Sequence, residues 1–177
     1  MVSQEAPELE TARLRLRGHR LSDFDAYFAM WSDPAVVRFI GGEPFSREAA
    51  WSRFLRLAGM WHHMGFGSFL IEERASGAFV GECGFQEFRR AITPSIEGTM
   101  ETGWALSPAF HGKGMAEEGE LAAIRWARAA HPDKRITCFI DPQNERSQRL
   151  ARRLGFVEYG RGEYHGASAI MFELPPS

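Results

Sequence analysis

Three short stretches of the chain carry residues able to do chemistry: Glu101 in an apolar run, the glycine loop His111-Gly112-Lys113-Gly114-Met115-Ala116, and Asn144 with Ser147 three positions later. Gly112 and Gly114 give the backbone conformations and close approaches that a side chain would block. The residues after them read as the start of a helix, whose first amides lack an intrahelical acceptor. Such a start favours a phosphate or pyrophosphate, and Lys113 adds a mobile positive charge. On glycine spacing alone the same residues also fit a plain strand-to-helix turn. A nucleoside-triphosphate loop needs Ser or Thr after its Gly-Lys pair, and Gly114 follows Lys113, so that reading fails. A dinucleotide loop matches only through Gly112-x-Gly114: Glu117 stands at the third glycine, and Asp141 lies too far along to hold a ribose. An NAD-dependent oxidoreductase is left as an alternative.

These residues must be positioned by the elements around them. The run Met100 to Leu106 predicts a strand, the glycine loop follows, and a helix runs from Met115 to Ala130 before a further strand at 134–140. Strand, loop, helix and strand in that order make a βαβ unit with parallel strands and a right-handed crossover. Residues 144–154 predict a helix closed by Gly155, and 157–173 a hairpin turning at Gly162 or Gly166. Upstream, the alternation in Leu14-Arg15-Leu16-Arg17 predicts a strand over 12–19. Ser22 is expected to cap a helix ending near Trp31, and Asp33-Pro34 to open a second. Ser46 opens a third, with Trp51, Phe54, Leu55 and Ala58 on its inner face and an end near Gly65. Residues 66–73 and 78–88 read as a hairpin about Ala75-Ser76-Gly77, with Gly81 and Gly84 marking a bulge or a close backbone approach. There is no internal repeat and no linker, so residues 1–177 are expected to form one domain.

Composition removes several classes. The 21 basic and 23 acidic residues leave a formal charge of -2 with no basic tract, which argues against nucleic acid as a partner. No apolar run approaches membrane-spanning length and no secretory leader is evident, so a soluble cytoplasmic protein is expected, with no membrane partner. Cys83 and Cys138 lie in apolar runs and read as buried free thiols. No histidine has a partner at metal-ligand spacing, and no metal is expected. A homodimer is compatible with the pattern without being required by it.

The segments together resemble the GNAT superfamily of N-acetyltransferases. His111-x-x-Gly114-x-Ala116 is similar to its pyrophosphate loop, Gln/Arg-x-x-Gly-x-Gly/Ala, departing at the first position. Asn144-x-x-Ser147, running on to Leu154-Gly155-Phe156, resembles the family's Asn-x-x-Ser helix. Met100-Glu101-Thr102-Gly103-Trp104-Ala105-Leu106 resembles the strand before the loop in the subfamily that acetylates ribosomal-protein N-termini, as do Leu14 to Arg17 and Ser32-Asp33-Pro34. The resemblance implies an α/β (α+β) fold: a mixed, twisted sheet of about seven strands flanked by helices, with a splayed parallel pair that admits the coenzyme arm. It implies acetyl-CoA as cosubstrate, a primary amine as acceptor, and coenzyme contacts from Trp104, Ala105, Leu106, His111, Gly112, Lys113, Gly114, Met115, Ala116 and Asn144. A non-catalytic acyl-CoA-binding module is the second alternative.

Making an amide from a thioester calls for removing a proton from the amine and returning one to the thiol. Glu101 is the candidate base, directly or through water, against the plain reading of a strand glutamate paired with an arginine. Ser147 is the candidate acid, with Tyr164 second, although a first-turn serine also bonds its own helix backbone. Asn144 doubles as a favoured helix cap. Trp31, Phe39, Trp61 and Trp104 are candidates to line the acceptor pocket, and Arg146, Arg149, Arg152 and Arg153 a solvated helix face from which one arginine could meet the coenzyme's 3′-phosphate.

Overall fold

Alternating apolar side chains and well-placed glycines wrap the chain around one nine-stranded sheet in the computed structural model, which describes residues 5–176. The elements are β1 (Leu9–Glu10), β2 (Leu14–Arg17), α1 (Phe24–Trp31), α2 (Pro34–Val37), α3 (Arg47–Met64), β3 (Ser68–Glu73), β4 (Phe79–Gln86), β5 (Ile92–Thr93), β6 (Met100–Leu106), α4 (Met115–Ala130), β7 (Ile136–Ile140), α5 (Glu145–Arg153), β8 (Val157–Tyr164) and β9 (Ala167–Leu174). Across the sheet the order is β1-β2-β3-β4-β6-β7-β9-β8-β5, and only β6 and β7 run parallel. The mixed sheet and the parallel pair are as expected. Two of the nine strands, β1 and β5, have only two residues each, too short for any alternation to announce.

Helix ends follow local chemistry. Asp33 Oδ1 accepts from Ala35 N at 2.8 Å with Pro34 at the first helical position, and Ser46 Oγ accepts from Ala49 N at 3.1 Å. Gly65, in the left-handed region, closes α3. Ser22, expected as a cap, lies instead inside a 3-10 turn, Leu21–Asp23, and Asp23 precedes α1. The inner face of α3 also differs from expectation. Ala50, Phe54, Leu57, Met60 and Trp61 are buried, whereas Trp51 and Leu55 are exposed. The final hairpin turns at His165-Gly166; a Cβ on Gly162 would meet Thr93 O at 2.6 Å, so that glycine serves strand packing.

The sheet separates two large cores, and a small third cluster of Ile92, Ile96, Ala169 and Met171 lies at the β5 end. On one face α4 and α5 cover Leu14, Phe69, Ile71, Cys83, Phe85, Met100, Ile136 and Cys138. On the other, α1, α2 and α3 gather Tyr27, Trp31, Val37, Phe54 and Leu57 over Ala105. Each such large side chain contributes roughly 1.5–3 kcal/mol. Cys83 and Cys138 are buried free thiols as expected, and burial holds both well above the ordinary thiol range.

Candidate active site

Strand β6 has two partners that diverge. It pairs with β4 from Gly81↔Leu106 to Gln86↔Glu101, but with β7 only at Met100↔Ile136 and Glu101↔Thr137. Beyond that point β7 stays with β9 as far as Ile140↔Ile170. The parallel strands therefore part after Glu101. Met100 N donates to Arg135 O at 2.8 Å and Ser107 N to Val80 O at 2.9 Å, which fixes the alternation at both ends. It follows that Thr102, Trp104 and Leu106 turn their backbone NH and C=O groups into the gap, while Gly103 and Ala105 turn theirs to β4. Ala105, expected to line the gap through its backbone, is thus corrected: it bonds toward β4 and its methyl packs under α1 and α3. A Cβ on Gly81 would sit 2.2 Å from Ala105 O, so this close pairing requires glycine.

The loop at the open end of β6 is an amide cradle. Gly112 and Gly114 both have φ of 74°, and nothing crowds Gly112. The first backbone bond of α4 runs from Glu118 N to Gly114 O at 3.1 Å, so the amides of Met115, Ala116 and Glu117 precede it with no protein acceptor among the described residues. His111 Nε2 lies 2.7 Å from Leu106 O. Since a carbonyl only accepts, that nitrogen carries a proton, and the ring braces the loop against the end of β6. Glu117 and Glu118 would repel an anion here, but each is paired. Arg153 Nε meets Glu117 and Arg13 Nε meets Glu118, both at 2.7 Å. Burial works against the Glu118 charge, yet the Thr11 hydroxyl, the Arg13 amide and the Arg13 guanidinium hold its carboxyl below the ordinary range. Arg13 Nη1 also donates to Lys113 O at 2.9 Å. Arg13 was missed in the sequence because it reads as one more charged residue at the edge of a strand.

Across the gap, Asn144 Oδ1 accepts from Ser147 N at 3.1 Å and caps α5. Ser147 Oγ accepts from Trp104 Nε1 at 3.3 Å, which ties α5 to β6 and leaves the hydroxyl proton free to be donated. The arginine face of α5 is exposed as expected. Arg149, Arg152 and Arg153 pair with Glu145, Glu158 and Glu117, and Arg146 has no carboxylate partner among the described residues.

The opposite face of β6 is charged. Glu101, 6% exposed, accepts from Gln86 Nε2 and from Arg90 Nε, each at 2.7 Å. Arg90 Nη1 donates to the Tyr164 hydroxyl oxygen (Oη) at 3.1 Å, so Tyr164 reaches Glu101 only through Arg90. Nearby, Glu82 accepts from Arg53 Nη2 at 2.6 Å and lies 3.3 Å from His19 Nε2, with Arg53 resting 4.4 Å over the Trp31 ring. Burial raises the Glu82 pKa, but Arg53 first and His19 second bring it below the ordinary range. Arg53, Arg90, His19 and Glu82 had no signal in the sequence, since each partner is remote along the chain. Trp31 and Trp61, expected to line the acceptor pocket, are 2% and 4% exposed and belong to the cores. Phe39 is half-buried under Arg38, and Trp104 half-buried beside Ser147.

A family model described as an acetyltransferase (GNAT) domain matches residues 13–157. YoaA, an uncharacterized N-acetyltransferase of Bacillus subtilis (strain 168), is 31% identical over 87% of this chain and 85% of its own. A GnaT-family acetyltransferase from Bordetella pertussis superposes with a TM-score of 0.84 at 31% identity, covering 96% of this chain and 99% of that one. The ribosomal L7/L12 alpha-N-protein acetyltransferase RimL, solved in complex with coenzyme A, shares the fold at a TM-score of 0.75 and 18% identity, over 94% of this chain and 97% of its own. With a cradle at the end of a parting parallel pair and a family match over most of its length, the chain belongs to the GNAT family and is an acetyl-CoA-dependent N-acetyltransferase.

Proposed function

We propose that the acceptor is a primary amine, of a protein N-terminus or a small molecule, and that acetyl transfer takes place in the gap beyond Glu101. The parting of β6 from β7 directly before the amide cradle carries this reading. The amides of residues 112–117 and Lys113 would hold the pyrophosphate, and Arg146, lacking a carboxylate partner, would meet the 3′-phosphate. Acetyl-CoA supplies the thioester; the NH groups of Trp104 and Leu106 would polarise its carbonyl. Asn144 keeps its amide nitrogen free for the coenzyme arm while Oδ1 caps the helix.

Glu101 and Ser147 stand on opposite faces of β6, which suits their proposed roles. The amine loses its proton toward the Glu101 face as the C–N bond forms. The C–S bond breaks on the other side, where Ser147 would pass its hydroxyl proton to the departing sulfur and take one back from water, while Glu101 returns the amine's proton to water. Glu101 lies three residues before Trp104, about 10 Å along the strand, so its proton travels through water. Ser147 is preferred to Tyr164 because Ser147 touches the gap residue Trp104 itself. Thiol release with an amine panel tests the assignment: Glu101→Gln should lower kcat roughly 10²- to 10⁴-fold with little change in the KM for acetyl-CoA. An undiminished rate across the pH range would remove Glu101 as the base.

A further inference from the structure

The acceptor face holds one guanidinium more than its carboxylates can neutralise. On α3, Arg53 and Arg56 stand three residues apart and share a side of the helix. Arg53 is taken by Glu82 and Arg90 by Glu101 and Tyr164. Arg56 is different. Its Cζ lies 4.1 Å from the Phe88 ring, which Arg90 also approaches at 5.1 Å, and it has no carboxylate partner among the described residues. Arg56 is exposed, so a ligand can reach it, whereas the side chains of Arg53 and Arg90 are more covered.

This excess is local. The whole chain carries a formal charge of -2, yet three guanidiniums and two carboxylates meet here. Partial burial first, and then the like charges of Arg53 and Arg90, push the Arg56 guanidinium below its ordinary range. Arg90 links the spot to the reacting end, because the guanidinium that shares Phe88 with Arg56 also bonds Glu101. Phe88 fixes the spacing between the two cations and offers an apolar wall to whatever lies between them.

We infer that the acceptor amine carries a carboxylate, and that Arg56, flanked by Arg90 and Phe88, is the subsite that holds it. This rests on the amine-acetylation reading above and adds the substrate class. An arginine edge suits a carboxylate because its N–H groups match both oxygens. Either a free amino acid or the acidic side chain of a peptide N-terminus brings that chemistry. A polyamine does not, and it would be repelled.

Matched acceptors test the inference: amino acids against their amides, N-terminal peptides with Asp or Glu against Asn or Gln, and spermidine. The carboxylate member of at least one set should lead its neutral partner by about tenfold or more in kcat/KM, through KM. Arg56→Ala should collapse that ratio toward one and Arg56→Lys should restore part of it, with the KM for acetyl-CoA reporting that the fold is intact. The set that responds identifies the source, free amino acid or peptide. Preference for amides or spermidine, or an equal loss on both members of each pair in Arg56→Ala, would overturn the inference while leaving acetyl transfer standing. Transfer to no amine at all would overturn the acetylation reading and this one with it.

Discussion

Glu82 on β4 and Glu120, which reaches β4 from α4, are both removed from water on opposite faces of the sheet, and they are handled in opposite ways. Glu120, on α4, has no cation beside it: Oε1 accepts from Gly84 N at 3.1 Å and Oε2 lies 2.9 Å from Thr102 Oγ1. The Thr102 hydroxyl has one proton and also sits 3.0 Å from Gly84 O, which can only accept. The ring of bonds closes when Glu120 is protonated and donates to Thr102. Burial raises its pKa to about 8, with the Thr102 and Gly84 bonds pulling weakly the other way. Glu82 is kept ionised by Arg53 and His19. The face under α4 and α5, the proposed coenzyme side, is therefore built as a neutral core with an amide cradle at its edge, and the face under α1, α2 and α3, the proposed acceptor side, as a set of buried ion pairs. A sheet can carry both because its alternation keeps them apart.

The two glutamates should give opposite pH responses, and Glu120 the larger one. Its folded pKa lies above the ordinary 4.5, so its stabilising contribution is complete below that value and is lost as pH rises toward about 8. The span is worth on the order of 5 kcal/mol. In Glu120→Gln the amide nitrogen can donate to Thr102 and its oxygen can accept from Gly84 N at every pH. Denaturant unfolding from pH 5 to 9 should show the variant gaining on the parent as pH rises. Parallel stability curves would mean that Glu120 ionises freely and that the two faces are not so different.

On the acceptor face the strong test is to remove the cation. Arg53→Ala leaves Glu82 charged and buried, and should cost about 3–5 kcal/mol at neutral pH. Adding Glu82→Gln should recover part of that loss. The sign in pH is reversed relative to Glu120: the Glu82 pKa is lowered, so its contribution is present above 4.5 and fades as acid protonates it. The Arg53→Ala penalty should accordingly shrink toward pH 4. A penalty independent of pH would assign Arg53 to packing on Trp31 instead.

The same contrast explains what could be read from the chain alone. The elements of the proposed coenzyme face were legible because they are local: the glycine loop, the strand Met100–Leu106, the helix Met115–Ala130 and the Asn144 cap each follow from neighbours a few residues away. The acceptor face depends on pairs such as Arg53 with Glu82 and Arg90 with Tyr164, which no periodicity encodes. In α3 the apolar residues are rich enough to suggest two inner faces, and Trp51 and Leu55 were assigned to the wrong one. Ala105 was misplaced for a finer reason. Whether a strand residue bonds left or right depends on its partner strands, which here place Met100 N toward Arg135 and Ser107 N toward Val80.

The smallest effect concerns whether a residue on the coenzyme face serves the backbone, the ligand or both. Asn144 Oδ1 caps α5 through Ser147 N, so Asn144→Ala should cost about 1 kcal/mol of stability. Asn144→Asp keeps an accepting oxygen at the cap, and a negative charge near a helix start is favourable, so its stability should stay near that of the parent. What Asp loses is the amide nitrogen, the only donor on this side chain. If that donor holds the coenzyme arm, Asn144→Asp raises the KM for acetyl-CoA without destabilising the fold, and the two roles separate. Should the KM stay unchanged while Asn144→Ala still loses stability, Asn144 is a cap alone. The cradle of residues 112–117 would then hold the coenzyme with backbone groups and Lys113, which carries the contrast with the acceptor face further still.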